Sequence, residues 1–458
     1  MSSIVRAFVV VVTLGWLAGS ITAGEASEPS FTVGVAARDV TPEPGLAMAG
    51  YSARQGVSTG TRDPLQAKAV VMGDGTHRLA LVQLDWIGPP GQKMIDDITR
   101  VVKAEAGVED VFVIGTHTHS GPATAYDASA DGSGALPHLV RLKKGLTEAI
   151  VEASRNAAAA KIAVGRGTCR IAHNRRAVRP DGSVFMLWAN MERVPTSPVD
   201  PEVGVIRIEA QAERRVIATL VSFACHPVVF GPDHLHYSAD YVGEMARAVE
   251  KEQGGMCIFL QGAAGDQNPY ADKRSQSEDA EGLVKAVGLE LAEEVNRVSR
   301  MLRPQPAEHP SIQVKTRAML IQPRYDLNDP KVVARLEKIL SRPVLERYRG
   351  LLERYSRGIE APLGTIILNG NLAFATFPGE FFIEFQQDLK RRSPIRDTFF
   401  LGYANESFAY FPTLRAISEG GYGASMNSFV EPAAGERMVL QALVDLYKLG
   451  GRFENAQP

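Results

Sequence analysis

Short apolar runs and stretches of helical periodicity alternate along the first part of the chain. Runs rich in valine, isoleucine and leucine, bounded by glycine, proline or aspartate, predict strands. These runs are Phe31–Pro42, Ala67–Asp74, Arg78–Gly88 and Asp110–His119. Before the last of them, apolar residues recur at helical spacing from Met94 to Val102, which predicts a helix that Gly107 closes.

The same alternation continues toward the C-terminus. Further strands are predicted at Gly204–Ala210, Arg214–Pro227, Gly255–Asp266 and Asp397–Asn405. Further helices are predicted at about Leu139–Ala160, Ala239–Gln253, Glu278–Met301, Val332–Ile339, Val344–Arg357, Phe381–Arg392 and Ala433–Leu449. The segment Gly364–Glu380 predicts a hairpin that turns at Asn369-Gly370. Several strand pairs lie too close in sequence for parallel crossovers, so the pattern predicts an α/β fold with mixed sheets covered by helices.

The first 26 residues have the pattern of a secretory signal peptide. One arginine precedes an apolar run from Ala7 to about Ala18, and small residues follow. We therefore predict that residues 27–458 form an exported chain, secreted or periplasmic; an uncleaved membrane anchor is the alternative. We predict one domain for these residues, and Arg303–Pro310, rich in proline and charge, is the best candidate for an internal boundary.

Composition and charge narrow the classes of function. The chain is 45% apolar and 22% charged, as in ordinary globular proteins. Its formal net charge of −2, without a notable lysine or arginine cluster, argues against a nucleic-acid partner. Three cysteines, Cys169, Cys225 and Cys257, allow at most one disulfide, and the sequence does not choose the pair. Cys225 precedes His226 but is interpreted as a small buried residue rather than a catalytic thiol.

Two of the nine histidines stand two residues apart at the end of a predicted strand. His117 and His119 follow the apolar run that starts at Asp110. Side chains two apart on a strand point to the same face, so the pair is a common start for a metal site. The alternative is a pair of hydrogen-bonded structural histidines, and the pattern alone leaves both interpretations open.

Two other predicted strands end in similar loops. His226 ends one of them, and Gly262–Tyr270 follows the strand that starts at Gly255. Ligand sites in helix-covered sheets lie beyond strand ends, so these loops are candidates for one common site. His234 and His236 form another pair in a polar loop, and we interpret them as surface residues or as neighbours of a site.

These segments, taken in order, resemble the neutral/alkaline non-lysosomal ceramidase family. The matching segments are Val33–Tyr51 (VGVAARDVTPEPGLAMAGY), Thr116–Pro122 (THTHSGP), Phe223–His226 (FACH), Ala263–Tyr270, Pro378–Glu380 (PGE) and the tyrosines Tyr410 and Tyr422. THTHSGP is the most specific of them. The resemblance covers about residues 31 to 450 and implies the fold of that family's catalytic domain.

The resemblance also implies a zinc site with one ion per chain. Its ligands would be His117, His226, Glu380 and Tyr422. His119 would handle protons beside the metal. Arg175 would contact the substrate, and Tyr410 would contact the reacting amide. Two imidazoles, a carboxylate and a weakly bound tyrosine leave room for water, as catalytic zinc sites do.

One departure bears on the substrate. The family's active-site serine falls on Asn268, which puts a serine-dependent step and ceramide itself in doubt. The resemblance still implies hydrolysis of the amide of ceramide or another N-acyl lipid, with peripheral contact to a membrane surface. The alternatives are a zinc hydrolase of the same fold acting on a different amide or ester, and a lipid-binding homologue without catalysis.

Overall fold

The structure is a computed structural model. It describes residues 30–123, 136–339, 358–425 and 427–453, together with positions 342, 345, 346, 349, 350 and 353. The predicted signal peptide lies outside the described residues, and so does most of the predicted helix at 344–357. No helix within the described part of the chain is both long and apolar enough to cross a membrane.

Runs of one to seven strands are separated by helices along the chain. The strands are β1 Thr32–Asp39, β2 Gly60–Thr61, β3 Gln66–Gly73, β4 Arg78–Leu84, β5 Asp110–Gly115, β6 Ala158–Thr168, β7 Ala172–Asn174, β8 Arg176–Val178, β9 Val184–Met186, β10 Glu202–Ala210, β11 Val216–Phe223, β12 His236–Tyr237, β13 Met256–Gln261, β14 Gln267–Pro269, β15 Ile312–Ile321, β16 Ile359–Leu368, β17 Leu372–Thr376, β18 Glu380–Phe381, β19 Asp397–Leu401 and β20 Tyr410–Phe411. The helices are α1 Gln92–Ala106, α2 Pro137–Arg155, α3 Asp240–Gln253, α4 Ala280–Met301, α5 Pro330–Ile339, α6 Ile383–Arg392, α7 Leu414–Glu419 and α8 Ala434–Leu449.

Two mixed sheets form the centre of the molecule. The larger has eight strands in the order β13-β11-β10-β6-β1-β3-β4-β5, and the smaller has four in the order β15-β16-β17-β19. The larger sheet has parallel pairs at both edges, β13 with β11 and β4 with β5, and its two halves meet where β1 and β6 pair over two residues. The mixed topology confirms the predicted fold class.

The core consists of three apolar layers. One layer lies between the two sheets and contains Phe31, Phe112, Ile366, Phe374 and Phe399. A second layer packs the outer face of the larger sheet against α1 and α2 in one half and against α3 and α4 in the other. The third packs α6 and α8 on the smaller sheet. The order is therefore helices, large sheet, small sheet, helices, which leaves the strand ends as the places where polar loops gather.

Local sequence explains most element ends. Gly107 closes α1 in the left-handed conformation at φ 65°, as predicted. Asn369 and Gly370 turn the predicted hairpin with φ values of 51° and 71°. β11 is buried along its whole length, which is why it reads as a continuous apolar run.

Besides several strands of two or three residues, two long strands differ from the sequence-based prediction. The helix predicted to reach Ala160 ends at Arg155, and β6 begins at Ala158. Pairing of β6 with β10 outweighs the helix propensity of its alanines. β15 was not predicted; it is an edge strand with many exposed positions, so its apolar signal is weak. The three cysteines are free and buried, which confirms the interpretation of Cys225 and leaves no disulfide among them.

One buried amide joins the loops that follow three strands. Gln261 is the last residue of β13 and is 0% exposed. Its side chain donates from Nε2 to the carbonyl oxygens of Thr116 at 2.9 Å and Cys225 at 3.0 Å. The backbone carbonyl of Gln261 accepts from the backbone N–H of Gly402 at 2.9 Å. The loops after β5, β11 and β19 are thereby held against the end of β13.

Replacing Gln261 tests how much its amide contributes to the stability of the fold. Gln261→Leu keeps much of the volume but leaves the buried Thr116 carbonyl without its side-chain donor, which costs about 1–3 kcal/mol. It also removes one of the two donors to the Cys225 carbonyl, which still accepts from the Tyr241 hydroxyl at 2.8 Å. We expect the free energy of unfolding in urea to fall by about 2–4 kcal/mol. The matched control is Gln387→Leu, which removes a single bond to the Val199 carbonyl on the partly buried face of α6 and should cost about 1 kcal/mol or less. Equal losses in both variants would contradict a special role for Gln261.

Candidate active site

His117 lies just beyond β5 in an unusual backbone conformation. Its φ is 67°, the left-handed region that a non-glycine residue seldom adopts. Its backbone N–H donates to the Trp86 carbonyl at 3.0 Å, and its Nδ1–H donates to the Ile87 carbonyl at 2.6 Å. The ring is 4% exposed, so Nε2 is the nitrogen left free to face the interior of the site. Such strain, fixed by neighbouring bonds, is common at functional sites.

His226 reaches the same place from the end of β11. Its Nδ1–H donates to the Gln267 carbonyl at 3.1 Å, and its Nε2 has no hydrogen-bond partner although the residue is fully buried. Burial, with the neighbouring Arg175 charge, lowers the pKa of His226 to about 3. The imidazole is therefore neutral, with a lone pair on Nε2.

Glu380 brings a carboxylate between these two imidazoles. Its Oε2 lies 3.4 Å from Nε2 of His117 and 3.3 Å from Nε2 of His226, and it has no hydrogen-bond partner. Burial alone would raise the pKa of Glu380, but the neighbouring His117 and His226 outweigh it and hold that pKa well below its usual range. The ionised carboxylate thus faces two imidazole nitrogens across a small gap.

The donor set fits a zinc ion. Zinc takes histidine nitrogen and carboxylate oxygen at about 2.0–2.2 Å, and two such atoms on a tetrahedral ion stand roughly 3.3 Å apart. The two separations measured to Glu380 match that spacing. In addition, both histidines donate Nδ1–H to backbone carbonyls, the arrangement that fixes a metal-ligating imidazole.

His119 is close enough to count as a fourth candidate donor. Its Nε2 is 3.4 Å from Nε2 of His117, and the nitrogens of His117, His119 and His226 all lie within 4.8 Å of one another. Distance alone therefore does not separate His119 from the ligands. Its buried Nδ1, however, lacks the hydrogen-bond partner that orients the other two rings. Burial, with the nearby His117 and His226, lowers the pKa of His119 well below its usual value, so it is a neutral base.

The approach of His119 depends on a glycine. A Cβ at Gly50, whose φ is 95°, would lie 2.3 Å from Cγ of His119. The next residue, Tyr51, places its ring 4.8 Å from the His119 ring. The Gly50-Tyr51 pair therefore forms the wall behind His119.

Arg175 organises a second polar group next to Glu380. The guanidinium is 3% exposed and donates to the Tyr410 hydroxyl at 3.0 Å, to Oδ1 of Asn268 at 3.1 Å and to the Gly265 carbonyl at 2.6 Å. Asn268 in turn donates from Nδ2 to Asp272 at 2.8 Å. The asparagine at the family's serine position is thus a bridge between a cation and a carboxylate, with one amide hydrogen left over.

The two predicted tyrosines lie at different depths. Tyr410 pairs with Glu380 in the parallel β18–β20 register, and burial together with the Glu380 charge raises the pKa of its phenol well above the usual value. Tyr422 is partly buried; its ring contacts Tyr410 at 5.5 Å and Trp188 at 5.2 Å, and it lies 5.3 Å from the Arg175 guanidinium. Tyr410 is therefore the tyrosine that adjoins Glu380, while the assignment of Tyr422 as a ligand stays a prediction.

The sequence matches the family profile described as "Neutral/alkaline non-lysosomal ceramidase, N-terminal" over residues 31–278. The chain belongs to this family. The match includes His117, His119, Arg175, His226 and Asn268, so these residues lie in a ceramidase-like hydrolase, which confirms the resemblance found in the sequence.

Solved ceramidase structures have the same fold. The neutral ceramidase from Pseudomonas aeruginosa superimposes with a TM-score of 0.71 at 16% identity, covering 93% of this chain and 75% of that one. A structure described as a ceramidase complexed with C2 gives a TM-score of 0.70 at 17% identity, covering 94% and 76%. No curated protein sequence matches the chain significantly.

Four residues of this ceramidase-family site were not found from the sequence. Tyr403 is fully buried, its ring centre lies 4.3 Å from that of His117 with the two planes tilted, and its hydroxyl has no hydrogen-bond partner. Tyr51, Trp188 and Lys273 border the site through ring and cation contacts. Tyr403 lies near the end of the predicted strand Asp397–Asn405, as His117 and His226 lie near the ends of theirs, so its position at a strand end was the signal available for it.

The different depths of the two tyrosines give a test of the ligand set. Tyr410→Phe should lower the affinity for zinc by roughly 10–100-fold, because its oxygen adjoins Glu380, whereas Tyr422→Phe should bind zinc as the wild type does. Each phenylalanine keeps the ring and its packing, so the two variants serve as matched controls. Competition with a chromogenic chelator measures the affinity. The reverse order would support the prediction from the sequence that Tyr422 is the metal ligand.

Proposed function

We propose that this protein is an exported zinc-dependent amide hydrolase that cleaves the N-acyl bond of ceramide or a related N-acyl lipid. The observation that carries the proposal is the meeting of His117, His226 and Glu380, whose facing nitrogen and oxygen atoms are buried and stand 3.3–3.4 Å apart. Membership in the ceramidase family supports the choice of an amide as substrate. The signal-peptide pattern of residues 1–26 supports export.

Three residues would hold the metal, and others would act on the substrate. A zinc ion held by His117, His226 and Glu380 would polarise the amide carbonyl and lower the pKa of a water molecule. Arg175 fixes the Tyr410 hydroxyl beside Glu380, where a bound amide could meet it. The buried walls around these groups strengthen their electrostatic interactions, because little water screens them.

His119 supplies the proton transfer. Its neutral ring can accept a proton at Nε2 from the attacking water and pass it to the nitrogen of the leaving amine. The water oxygen bonds to the carbonyl carbon, the C–N bond breaks, and the products are a carboxylate and an amine. Asn268 cannot be a nucleophile, since its side-chain nitrogen is an unreactive amide, so no acyl-enzyme is part of this scheme.

The second candidate is a hydrolase of the same fold with a different amide or ester substrate. The Asn268 bridge to Arg175 and Asp272 favours it, because the serine of the family is replaced by a group already engaged on both sides. The substrate therefore differs between the two candidates, while the metal site and His119 are common to both.

A substrate screen with controlled metal content tests the proposal. Protein purified without chelator is offered N-acyl sphingosines, N-acyl amino acids and simple esters, and the products are identified by mass spectrometry. We expect release of amine, loss of that release after chelation, and recovery with added zinc. Zinc-loaded protein that releases no amine from any amide would contradict the proposed function.

His119 is expected to act on protons rather than on metal binding. His119→Ala should keep nearly normal zinc content and lower kcat by roughly 10²–10⁴-fold, the usual range for a general acid–base residue. His117→Ala is the matched control and should lose zinc, because its Nε2 is one of the atoms that face Glu380. Metal analysis and turnover are measured on the same samples. Loss of zinc from His119→Ala would contradict this assignment and indicate that His119 is a metal ligand.

Asn268 is expected to matter for turnover but not for metal binding. Asn268→Ala removes the partner of both Arg175 and Asp272, and we expect kcat to fall by roughly 10²–10³-fold if its free amide hydrogen meets developing charge. Asn268→Ser restores the residue of the family and should raise ceramide hydrolysis. A mild loss in the alanine variant would reduce Asn268 to a residue that shapes the loop before Pro269.

A further inference from the structure

Three cations and two aromatic rings lie side by side along one wall of the site. The Arg54 guanidinium lies 4.8 Å from the centre of the Tyr51 ring, which itself stands 4.8 Å from the His119 ring. The Lys273 ammonium is 6.0 Å from the Tyr51 ring and 4.3 Å from the Trp188 ring. The Arg175 guanidinium lies 5.2 Å from the Trp188 ring. We call Arg54, Lys273 and Arg175 the cationic wall.

Most of the positive charge on the cationic wall has no carboxylate partner. Among the described residues, Lys273 pairs with Asp272 at 2.5 Å, but no ion pair involves Arg54 or Arg175. The Nε and Nη2 atoms of Arg54 and the Nε of Arg175 are buried and have no hydrogen-bond partner. Arg54 uses Nη1 alone, toward the Ala49 carbonyl at 2.6 Å.

The nearby carboxylates are already engaged elsewhere. Asp240 accepts from the backbone N–H groups of Phe230 and Tyr241, and Asp266 accepts from Asn174, Gln267 and Ile383. Glu380 belongs to the proposed metal site. Asp272 pairs with Lys273 and accepts from Asn268. None of these carboxylates forms an ion pair with Arg54, so its guanidinium charge has no direct counter-charge among the described residues.

Resting on the proposed amide hydrolysis, we infer that the amine half of the substrate carries a carboxylate, bound by Arg54 with Lys273 beside it, so that the substrate is an N-acyl amino acid. Keeping a cation away from water without a counter-charge costs several kcal/mol. An anionic substrate offsets that cost, whereas the hydroxyl groups of a neutral amino alcohol do not. The two free nitrogens of Arg54 match the paired oxygens of a carboxylate.

Two substrates that differ in this group alone test the inference. N-dodecanoylglycine has the carboxylate, and N-dodecanoylethanolamine carries a hydroxyl group in its place. We expect the metal-loaded wild type to have a kcat/KM at least roughly tenfold higher for the glycine compound, as one charge-assisted hydrogen bond gives. Arg54→Gln should lower kcat/KM for that compound roughly 10–100-fold and leave the ethanolamine compound within about twofold.

Two controls keep the result interpretable. Arg214→Gln removes an exposed cation from the turn between β10 and β11, at the end of β11 away from His226, and should leave the ratio of the two substrates unchanged. Binding is measured separately by calorimetry with dodecanesulfonylglycine and dodecanesulfonylethanolamine, which are not hydrolysed. Thermal unfolding of each variant shows that it is folded.

The outcomes separate the two proposals. Equal or better cleavage of the ethanolamine compound, or a selectivity that Arg54→Gln leaves intact, would overturn the anionic substrate while amide hydrolysis stands. If neither amide is cleaved but the sulfonylglycine binds more tightly and loses that advantage in Arg54→Gln, the carboxylate site stands and the proposed function fails. Without cleavage and without a binding preference, both are wrong.

Discussion

The site depends on the amide of Gln261. This one side chain, at the end of β13, binds the carbonyls that precede His117 and His226, while its backbone carbonyl binds the segment that leads into Tyr403. The two histidines lie far apart in sequence and come from strands at different places in the larger sheet. Because a buried carbonyl without a donor is costly, this amide holds the two loops against the end of β13. Loops held together in this way can direct the Nε2 lone pairs of His117 and His226 toward one point.

Without a cation, the close approach of these buried acceptor atoms would be energetically unfavourable. His226 is neutral with an unpartnered Nε2, Glu380 is an ionised carboxylate with an unpartnered Oε2, and both are buried. Acceptors that face one another have no proton to share, and burial of each has a cost unless something compensates it. A divalent cation would compensate all of them at once, which would link metal binding to the stability of these loops. The same reasoning explains why Nδ1 of both histidines is bound to backbone: the ring is held so that the other nitrogen stays free.

The sequence predicted well where the strands end, but it predicted less well which strand ends lie close together in space. Apolar runs that stop at His117 and His226 show where chains leave a sheet, and the family resemblance joined them to Glu380. Which strand ends lie close together depends on the order of the strands in the sheet, including the short pairing of β1 with β6. The start of β6 was not predicted as strand, because its alanines favour helix. Tyr403 and Lys273 were missed for a related reason: a tyrosine or a lysine in a loop has no distinctive pattern until its neighbours in space are known.

Tyr410 and Tyr422 are buried to different depths, and the spacing of the motif does not predict this difference. Tyr410 and Tyr422 match the family by their separation, yet that separation does not say which one stands beside the carboxylate. The β18–β20 register does, because a residue paired with Glu380 must project on the same side of that short ladder. Tyr422 instead closes the far side of Arg175, together with Trp188. Arg175 is then surrounded by three aromatic rings and reaches the substrate space with its remaining polar edge. An arginine enclosed in this way keeps its charge and its orientation, so Asn268 lies between a fixed cation on one side and the Asp272 carboxylate on the other.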